Sequence, residues 1–541
     1  MKARNFKITI AVTFVLAIAS IAAIILIRYH NVKGIEVIKT SYEIKTPLVS
    51  LTDADSIYQL DTQNDIWNQI EVLKEEKDYP FRDALIIENP FQTNTQSLYL
   101  YFTTVKPSSL EYTIHVEDAE IPDFTKTCYN KEENNLSTFH EYQLLGLIPD
   151  MVNEITLTIT DASGKKERRS FTYQAPSLLG KENVKLDYDE GDSTQPLSDG
   201  LYTVFSGENF FYYYDNNGIL RGEIPILNYR CLRLIFQNDK MYYSAGVADF
   251  AEMNSLGRLT GIYDLGTYNV HHDYTFDDNG KILMLGTDTT SERVEDRVLS
   301  LDPASGELKQ VLDLTDLFPD YYGSCKPDKE GKLDWMHINT LQWLGNGTVL
   351  LSSRETSSIL KINDILTNPT LEYMLGSQSF WDGTNYTSYL YNKAQDFKSQ
   401  LGQHSITYVR EDGLADTEYY LYLFDNNIGV SSTRPDYKWN SHFEDIGTVG
   451  EAQGEETSYY YKYLVNEATK TYELIDSFPV AYSGYMSSVQ EIDSNIIVNS
   501  SNPKLYREYD QDHTLIRSFS TGSKKQAYRT YKYDFKHFLF D

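Results

Sequence analysis

The sequence predicts an all-β protein: a six-bladed β-propeller preceded by a small N-terminal β-sandwich and an N-terminal transmembrane helix. Three observations lead to this prediction. The chain opens with a long apolar run, short alternating strands fill residues 85 to about 174, and a strand–turn–strand unit repeats from about residue 190. The 44 tyrosines agree with it, because tyrosine favours the half-buried faces of β-sheets.

The apolar run covers residues 8–27 without a charge and follows Lys2, Arg4 and Lys7. Twenty helical residues span the hydrocarbon core of a bilayer, so the run predicts a single-pass signal-anchor. The basic flank predicts a cytoplasmic tail at 1–7, with the rest of the chain on the extracytoplasmic side of the cell membrane. A cleaved signal peptide is the alternative, which the length of the run, continuing to Arg28, disfavours.

Three regions follow the anchor. Residues 28–84 read as a juxtamembrane linker with an amphipathic helix at about 56–77. Residues 85–180 alternate in hydrophobicity between turn-forming residues, which is typical of a small β-sandwich. Residues 190–541 are predicted to form the propeller and to carry the function.

The repeat in the last region is marked by glycine turns. Four units have their first turn at Gly218, Gly280, Gly347 and Gly413, and weaker units lie near 231–266 and 487–519. Hairpins at nearly equal intervals predict about six blades, with residues 527–538 closing the ring against the first blade. A β-helix is the weaker alternative, because its coils would be shorter and more regular.

Charge and cysteine content limit the function. A formal net charge of -30 argues against nucleic-acid binding, because a phosphate backbone needs a basic surface. Cys128, Cys231 and Cys325 have no metal-ligand spacing; one disulfide with a leftover thiol and three free thiols both fit the sequence. No cofactor motif is present, and no cofactor or metal is predicted.

Histidines mark three successive units at related positions. The sequences His271-His272-Asp273, Asp334-Trp-Met-His337-Ile-Asn339 and Gln403-His404-Ser405 each place a histidine 8 to 10 residues ahead of a glycine turn. Equivalent positions in successive blades face the same central channel, so these imidazoles are predicted to converge. A structural role, with each histidine bonding within its own blade, is the alternative. The remaining units lack the histidine, which favours a site.

Arg354 ends the apolar strand Leu350-Leu-Ser-Ser that follows the second histidine. A guanidinium at the end of a buried strand is costly unless it meets an anion. Because Asn339 and Arg354 are not repeated in the other units, they indicate a local site rather than a blade consensus. A zinc site is disfavoured by Arg354 and by the lack of a clear carboxylate ligand.

Together these motifs resemble the bacterial arylsulfate sulfotransferase family. The resemblance rests on Asp334-Trp-Met-His-Ile-Asn-Thr, Ser352-Ser-Arg-Glu-Thr, His271-His-Asp, Gln403-His and Phe424-Asp-Asn-Asn, with Glu88-Asn-Pro-Phe-Gln-Thr-Asn in the sandwich. It covers most of the chain beyond the anchor. The Trp-Met-His-Ile-Asn and Ser-Ser-Arg elements are the specific ones. A closely spaced disulfide that some members carry has no counterpart here.

The resemblance implies a function and a set of site residues. It implies transfer of a sulfuryl group from an aryl sulfate to a phenol, in two ping-pong steps through a sulfated histidine and without a nucleotide donor. By motif, His404 matches the nucleophile, and His337, Asn339 and Arg354 match the groups that hold the sulfuryl oxygens. One of His271 and His272 matches a further site residue; the motif favours His272 and the turn spacing favours His271. Either His272 or His337 could carry the phenolic proton.

Two other functions fit the same residues. An aryl sulfatase-like hydrolase would pass the group to water, and a non-catalytic surface propeller would bind glycans or proteins with structural histidines. A homodimer is left open. Tyr321, Tyr322, Phe380 and Trp381 are expected to line the mouth of the substrate site.

Overall fold

The structure is a computed structural model that describes residues 37–47, 54–207, 209–522 and 525–541. The predicted anchor at 8–27 lies outside these residues. None of the described residues belongs to a helix long and apolar enough to cross a membrane. The helices Ala54–Ile57 and Leu60–Glu76 cover the predicted amphipathic segment, and the second buries Ile66 and Ile70 against the N-terminal domain.

The N-terminal domain is built on one long shared strand. The first half of Ser97–His115 pairs with Leu85–Glu88 and Ser137–Leu145, and the second half pairs with Phe124–Thr127 and Val152–Asp161. A register shift between Thr103 and Ser108 separates the halves. Side chains from both halves share one core, so the strand passes between two packed layers. The remaining strands of this sheet are Val37–Lys39, Ile44–Lys45 and Lys166–Gln174.

Six sheets follow, each built on four antiparallel strands, and they confirm the predicted six-bladed propeller. We number the blades in chain order and give their strands from the centre outwards. Blade 1 is Thr530–Tyr533, Leu201–Val204, Phe210–Tyr214 and Leu220–Pro225; blade 2 is Ile235–Gln237, Lys240–Ser244, Asp249–Asn254 and Leu259–Asp264; blade 3 is Tyr268–Phe276, Ile282–Asp288, Arg297–Leu301 and Leu308–Asp313.

Blades 4 to 6 continue the ring. Blade 4 is Ile338–Gly345, Thr348–Ser353, Ser358–Asn363 and Thr370–Leu375; blade 5 is His404–Val409, Glu418–Asp425, Ser458–Asn466 and Thr471–Val480; blade 6 is Ser488–Ile492, Asn495–Ser500, Leu505–Tyr509 and Leu515–Ser520. Asn392–Lys393 adds to the outside of blade 5 and Asp187–Glu190 to the outside of blade 6. Short helical turns lie between blades at Leu314–Leu317, Pro319–Ser324, Gln378–Trp381 and Thr387–Tyr389. Two more lie within blade 5 at Trp439–Ser441 and within the N-terminal domain at Phe81–Asp83.

The two ends of the propeller close the ring together. Thr530–Tyr533 forms the inner strand of blade 1 by pairing with Leu201–Val204, within the segment predicted to do so. Lys532 on this strand is fully buried and bonds Glu508 of blade 6 at 3.1 Å. Glu508 also accepts hydrogen bonds from Ser198, just before blade 1, and from Tyr202 of blade 1. This buried polar cluster therefore joins the first blade, the last blade and the closing strand.

Closure also explains which turns the glycine pattern matched. Gly280, Gly347 and Gly413 follow the inner strands of blades 3, 4 and 5. Gly218 instead joins the two outer strands of blade 1, because the inner strand of that blade comes from the C-terminus. Gly218, Gly280 and Gly347 all have φ between +69° and +81°, the left-handed region where glycine is the least strained residue.

The two domains share a core. One apolar cluster contains Leu100 and Tyr112 of the sandwich together with Phe211, Met241 and Phe535 of blades 1 and 2 and the C-terminus. Cys128, Cys231 and Cys325 are all free thiols, the first two buried. Blades 3 to 6 carry separate clusters between adjacent sheets and leave the centre of the ring to polar residues.

Candidate active site

Three of the predicted histidines meet at the centre of the propeller. The ring of His272 lies 5.0 Å from that of His337 and 6.5 Å from that of His404, measured between centroids. His272 lies in the middle of the inner strand of blade 3, His337 just before that of blade 4 and His404 at the start of that of blade 5. The structure therefore brings these side chains into one cluster, as the equivalence of their positions in the repeat predicted.

Irregular backbone aims these side chains inwards. The register of blade 3 shifts between Val270 and Tyr274, and that of blade 5 shifts between His404 and Thr407. Bulges of this kind redirect a side chain out of the pleat. His272 and His337 also have φ of +58° and +48°, a region that costs a β-carbon-bearing residue free energy. Strained backbone at the cavity is typical of a functional site.

His404 is held as a neutral imidazole with a defined tautomer. Asn426 donates its Nδ2 hydrogens to the carbonyls of Ser483 and Met486 at 2.8 and 3.1 Å, which fixes its Oδ1 towards His404. Because that oxygen can only accept, His404 Nδ1 donates to it at 2.7 Å. Burial, together with the neighbouring His337 and Arg354 charges, lowers the pKa of His404 to about 3, although the hydrogen bond to Asn426 acts in the opposite direction. The Nε2 lone pair is consequently free at neutral pH.

His337 is in the opposite charge state. Its Nδ1 lies 2.7 Å from Asp334 Oδ2 and 2.6 Å from Glu295 Oε2. Burial and the charge of Arg354 lower the pKa of His337, but the two carboxylates outweigh them and raise it to about 9. His337 is therefore an imidazolium at neutral pH. Two neighbouring imidazoles whose pKa values are pushed apart are a signature of acid and base roles.

Arg354 and Asn339 join the cluster by different contacts. Arg354 Nη2 pairs with Asp334 at 3.2 Å and with Glu355 at 2.7 Å, while its buried Nε has no partner among the described residues. Asn339 Nδ2 donates to the carbonyl of Gln403 at 2.8 Å, next to the nucleophile candidate. Asn339 thus supports the backbone next to His404.

His271 lies behind His272 in the cluster. The Nδ1 atoms of the two rings are 2.8 Å apart, so one of them carries the proton that the other accepts. Burial lowers the pKa of both, well below the ordinary value for His272. Since His272 is the ring that contacts the other two imidazoles, the structure places it nearer to the cavity than His271.

Ligand atoms able to hold a cation do occur here. His271, His272 and Glu295 form one group within 4.8 Å, and Glu295, Asp334 and His337 form another. The same carboxylates already balance the charges of Arg354 and protonated His337. A divalent cation would add positive charge beside both. We therefore interpret the groups as a charge-pairing network.

Several residues of the site escaped the sequence-based prediction. Asp334 and Asn426 stand inside the quoted motifs, so the motifs could have indicated them. Glu295 and Arg529 stand in none; Arg529 reaches the site from the closing strand and binds Asp273 of blade 3 at 2.9 Å. The prediction for the mouth of the site is corrected by the structure. Tyr321, Phe380 and Trp381 are buried in an apolar core, with Tyr322 packed against it, because their rings pack on one another edge to face or at a tilt.

Two solved structures illustrate a likeness that is too weak to carry an argument. A protein of unknown function from Bacteroides caccae has a TM-score of 0.36 at 8% identity, covering 62% of this chain and 98% of that chain. The protein BamB from Moraxella catarrhalis has a TM-score of 0.30 at 11% identity, covering 63% and 89%. No curated protein matches the sequence.

Family models give the decisive comparison. The model described as Arylsulfotransferase (ASST) matches residues 188–537, which contain the whole histidine cluster. The model described as the Arylsulfotransferase Ig-like domain matches residues 85–176, which contain the shared long strand. The first match covers more than half of the chain. The chain belongs to the arylsulfotransferase family and is a sulfotransferase enzyme of that general class.

Proposed function

We propose that the protein moves a sulfuryl group from an aryl sulfate to a phenol in two ping-pong steps, with His404 as the covalent carrier. The observation that carries the proposal is the pairing of a neutral imidazole, His404, with an imidazolium, His337, in one buried cluster beside Arg354. The first supplies a lone pair and the second supplies a proton. Both are needed to break a sulfate ester at neutral pH.

In the first step, His404 Nε2 attacks the sulfur and forms an N–S bond. The bond between sulfur and the aryl oxygen breaks, and its electron pair stays on that oxygen. His337, whose Nδ1 is held by Asp334, gives its Nε2 proton to the departing phenolate. Arg354 and the side-chain amide of Asn339 stabilise the sulfuryl oxygens, where negative charge is concentrated.

The second step reverses the first with another phenol. The acceptor gives its proton to neutral His337, and its oxygen attacks the sulfur while the N–S bond breaks. Asn426 holds Nδ1–H of His404 throughout, so the ring leaves as the same neutral tautomer that began. His272, neutral and against His337, is placed to pack on the transferred group and to position the acid.

Burial favours transfer to a phenol over hydrolysis. His404 is only 2% exposed and Asn339 is fully buried. Water can reach the sulfated ring only through this enclosed centre. An aryl ring, in contrast, is stabilised when it leaves bulk water for a buried site. We therefore place a phenol, and not water, as the acceptor.

The test compares acceptors in one reaction. Purified protein is given 4-nitrophenyl sulfate with and without phenol, and both nitrophenol release and phenyl sulfate formation are followed. We expect parallel double-reciprocal plots, release that depends on phenol, and loss of both half-reactions in His404→Ala. His115→Ala, a change at an exposed histidine of the N-terminal domain, is the control. Phenol-independent turnover at the full rate would make the protein a hydrolase instead.

The apolar run at 8–27 leads us to propose an anchored enzyme whose propeller lies on the extracytoplasmic side. Membrane fractionation with external protease digestion tests this. Recovery of the full-length chain in the soluble fraction, or protection of the propeller in sealed cells, would contradict it.

A further inference from the structure

The six inner strands present different chemistry to the two sides of the central cavity. Blades 3, 4 and 5 contribute imidazoles from the inner strand or from the residue just before it. In the segments that lead into the inner strands of the other blades stand Arg230 of blade 2, Arg529 of blade 1 and Met486 of blade 6. The transferred group is therefore bound on one side, and the opposite side is lined by guanidinium groups that the proposed reaction does not use.

Arg230 is the most unusual of these guanidiniums. It is 7% exposed, yet no carboxylate pairs with it in the described part of the chain. The other described arginines buried to this degree each pair with a carboxylate: Arg221 with Asp215, Arg297 with Asp296 and Arg529 with Asp273. A buried charge without a partner is costly, so this position favours an anion, and the described residues do not supply one.

The few contacts of Arg230 are weak. Its Nη1 meets the thioether sulfur of Met486 at 3.4 Å, and its Nε is buried without a partner among the described residues. Its guanidinium lies 4.6 Å from the ring centroid of Tyr229. Tyr229 has a φ of +62°, so the backbone beside Arg230 is held in a conformation that costs free energy. The backbone at Tyr229 is thus strained, and the described residues give the charge of Arg230 no carboxylate partner.

Arg230 is connected to the histidine cluster by one aromatic ring. Tyr528 has its ring centroid 5.5 Å from that of His272 and 5.9 Å from the guanidinium carbon of Arg230. A second connection runs through Met486, whose sulfur meets Arg230 and whose carbonyl accepts from Asn426, the partner of His404. An aryl ring lying along Tyr528 with its sulfate at the histidines would direct its far substituents towards Arg230.

We propose that Arg230, with the ring of Tyr528, binds a second anionic group on the aryl substrate, so that the preferred substrates are phenols, and sulfate esters of phenols, that carry a ring carboxylate. This rests on the proposed function and names the class of substrate for it. A carboxylate is the planar anion that a guanidinium binds with two parallel hydrogen bonds. Arg529, whose Nε and Nη2 are also buried without partners in the described chain, adds positive charge between the two ends.

The test uses two acceptors that differ only in charge. With 4-nitrophenyl sulfate as donor, kcat/KM is measured for 4-hydroxybenzoate and for its methyl ester. We expect the wild-type protein to prefer the carboxylate. We expect Arg230→Met to lose about tenfold to hundredfold on the carboxylate, the range for a hydrogen bond to a charged group, and to keep the wild-type value on the ester. Arg230→Lys should recover part of the preference.

The matched control is Arg258→Met. Arg258 is in the same blade but faces the N-terminal domain, where it stacks on Trp67 and binds Asn64. It should leave the ratio of the two acceptors at the wild-type value. No preference in the wild-type protein, or an equal loss on both acceptors in Arg230→Met, would overturn the inference while leaving the sulfuryl transfer intact.

A binding measurement separates this inference from the proposed function. If no aryl sulfate is turned over, the proposed function fails. Calorimetric binding of 4-hydroxybenzoate to wild-type and Arg230→Met proteins still tests the carboxylate site. Weaker binding to the variant, with unchanged binding of the methyl ester, supports the site; equal binding of the carboxylate to both proteins refutes it.

Discussion

Replacing Asn426 by alanine tests how the nucleophile is prepared. Asn426 is fully buried and its oxygen accepts the Nδ1 hydrogen of His404 at 2.7 Å, which leaves Nε2 unprotonated. Without it, the Nδ1 hydrogen has only the carbonyl of Gly402 at 3.2 Å. The preference for the nucleophilic tautomer should fall, although no atom that touches substrate has been removed.

The expected magnitude follows from that one bond. A buried donor left with a poorer partner loses about 1–3 kcal/mol. If the loss falls on the tautomer equilibrium, the single-turnover release of phenol slows by about five- to 150-fold. The assay is stopped-flow release of nitrophenol from saturating 4-nitrophenyl sulfate. The donor KM should stay close to the wild-type value, because Asn426 holds the imidazole and not the substrate.

Asn427→Ala is the control for a general loss of packing. Asn427 is equally buried and donates its Nδ2 hydrogens to the carbonyls of Asp445 and Thr457 at 2.9 and 2.8 Å, but it makes no contact with His404. Both variants should lower the melting temperature, and only Asn426→Ala should slow sulfation. A single-turnover rate in Asn426→Ala equal to that of the control would refute the assigned role, as would nitrogen NMR showing the same His404 tautomer in both.

Four further predictions concern charge. Phenol release should be constant from neutral pH up to about 9 and then fall, because deprotonation of His337, whose raised pKa is about 9, removes the general acid; a rate that rises through this range would contradict the assignment. The ion pairs of His337 with Asp334 and Glu295 should stabilise the fold fully below the ordinary histidine pKa, and this stabilisation should be lost as pH rises through about 9. Urea unfolding at several pH values measures it. Arg354→Lys keeps a charge but not the planar fork, and kcat should drop by on the order of a hundredfold with the melting temperature little changed; unchanged kcat would remove Arg354 from the oxyanion role. Glu508→Gln leaves the buried Lys532 ammonium unpaired at the ring closure and should cost about 3–5 kcal/mol of unfolding free energy without altering the pH profile.

The blade pattern could be predicted where glycine takes the left-handed turn. Gly280, Gly347 and Gly413 marked three blades correctly. The equivalent turn of blade 2 uses Asn238 and Asp239, with φ of +52° and +59°, so a glycine pattern could not detect it. These residues tolerate the left-handed region through their short polar side chains, which makes the signal weaker in sequence.

The sequence could predict only those site residues that the repeat places at related positions in successive blades. His337 and His404 stand where the inner strands of blades 4 and 5 begin, and the sequence identified them. The choice between His271 and His272 depends on a bulge that sets three residues opposite one, and a period-2 argument cannot count through a bulge. Glu295 meets His337 across a loop from the neighbouring blade, a contact that tertiary structure alone creates.

The covalent intermediate is the most direct measurement of the central claim. Protein is mixed with 4-nitrophenyl sulfate in the absence of any phenol, quenched at alkaline pH, digested and mapped by tandem mass spectrometry. The account predicts the added SO3 on the peptide that contains His404, attached at Nε2, and its disappearance when phenol is added before the quench. The group found on another residue, or phenol release at the burst rate with no modified peptide, would contradict it.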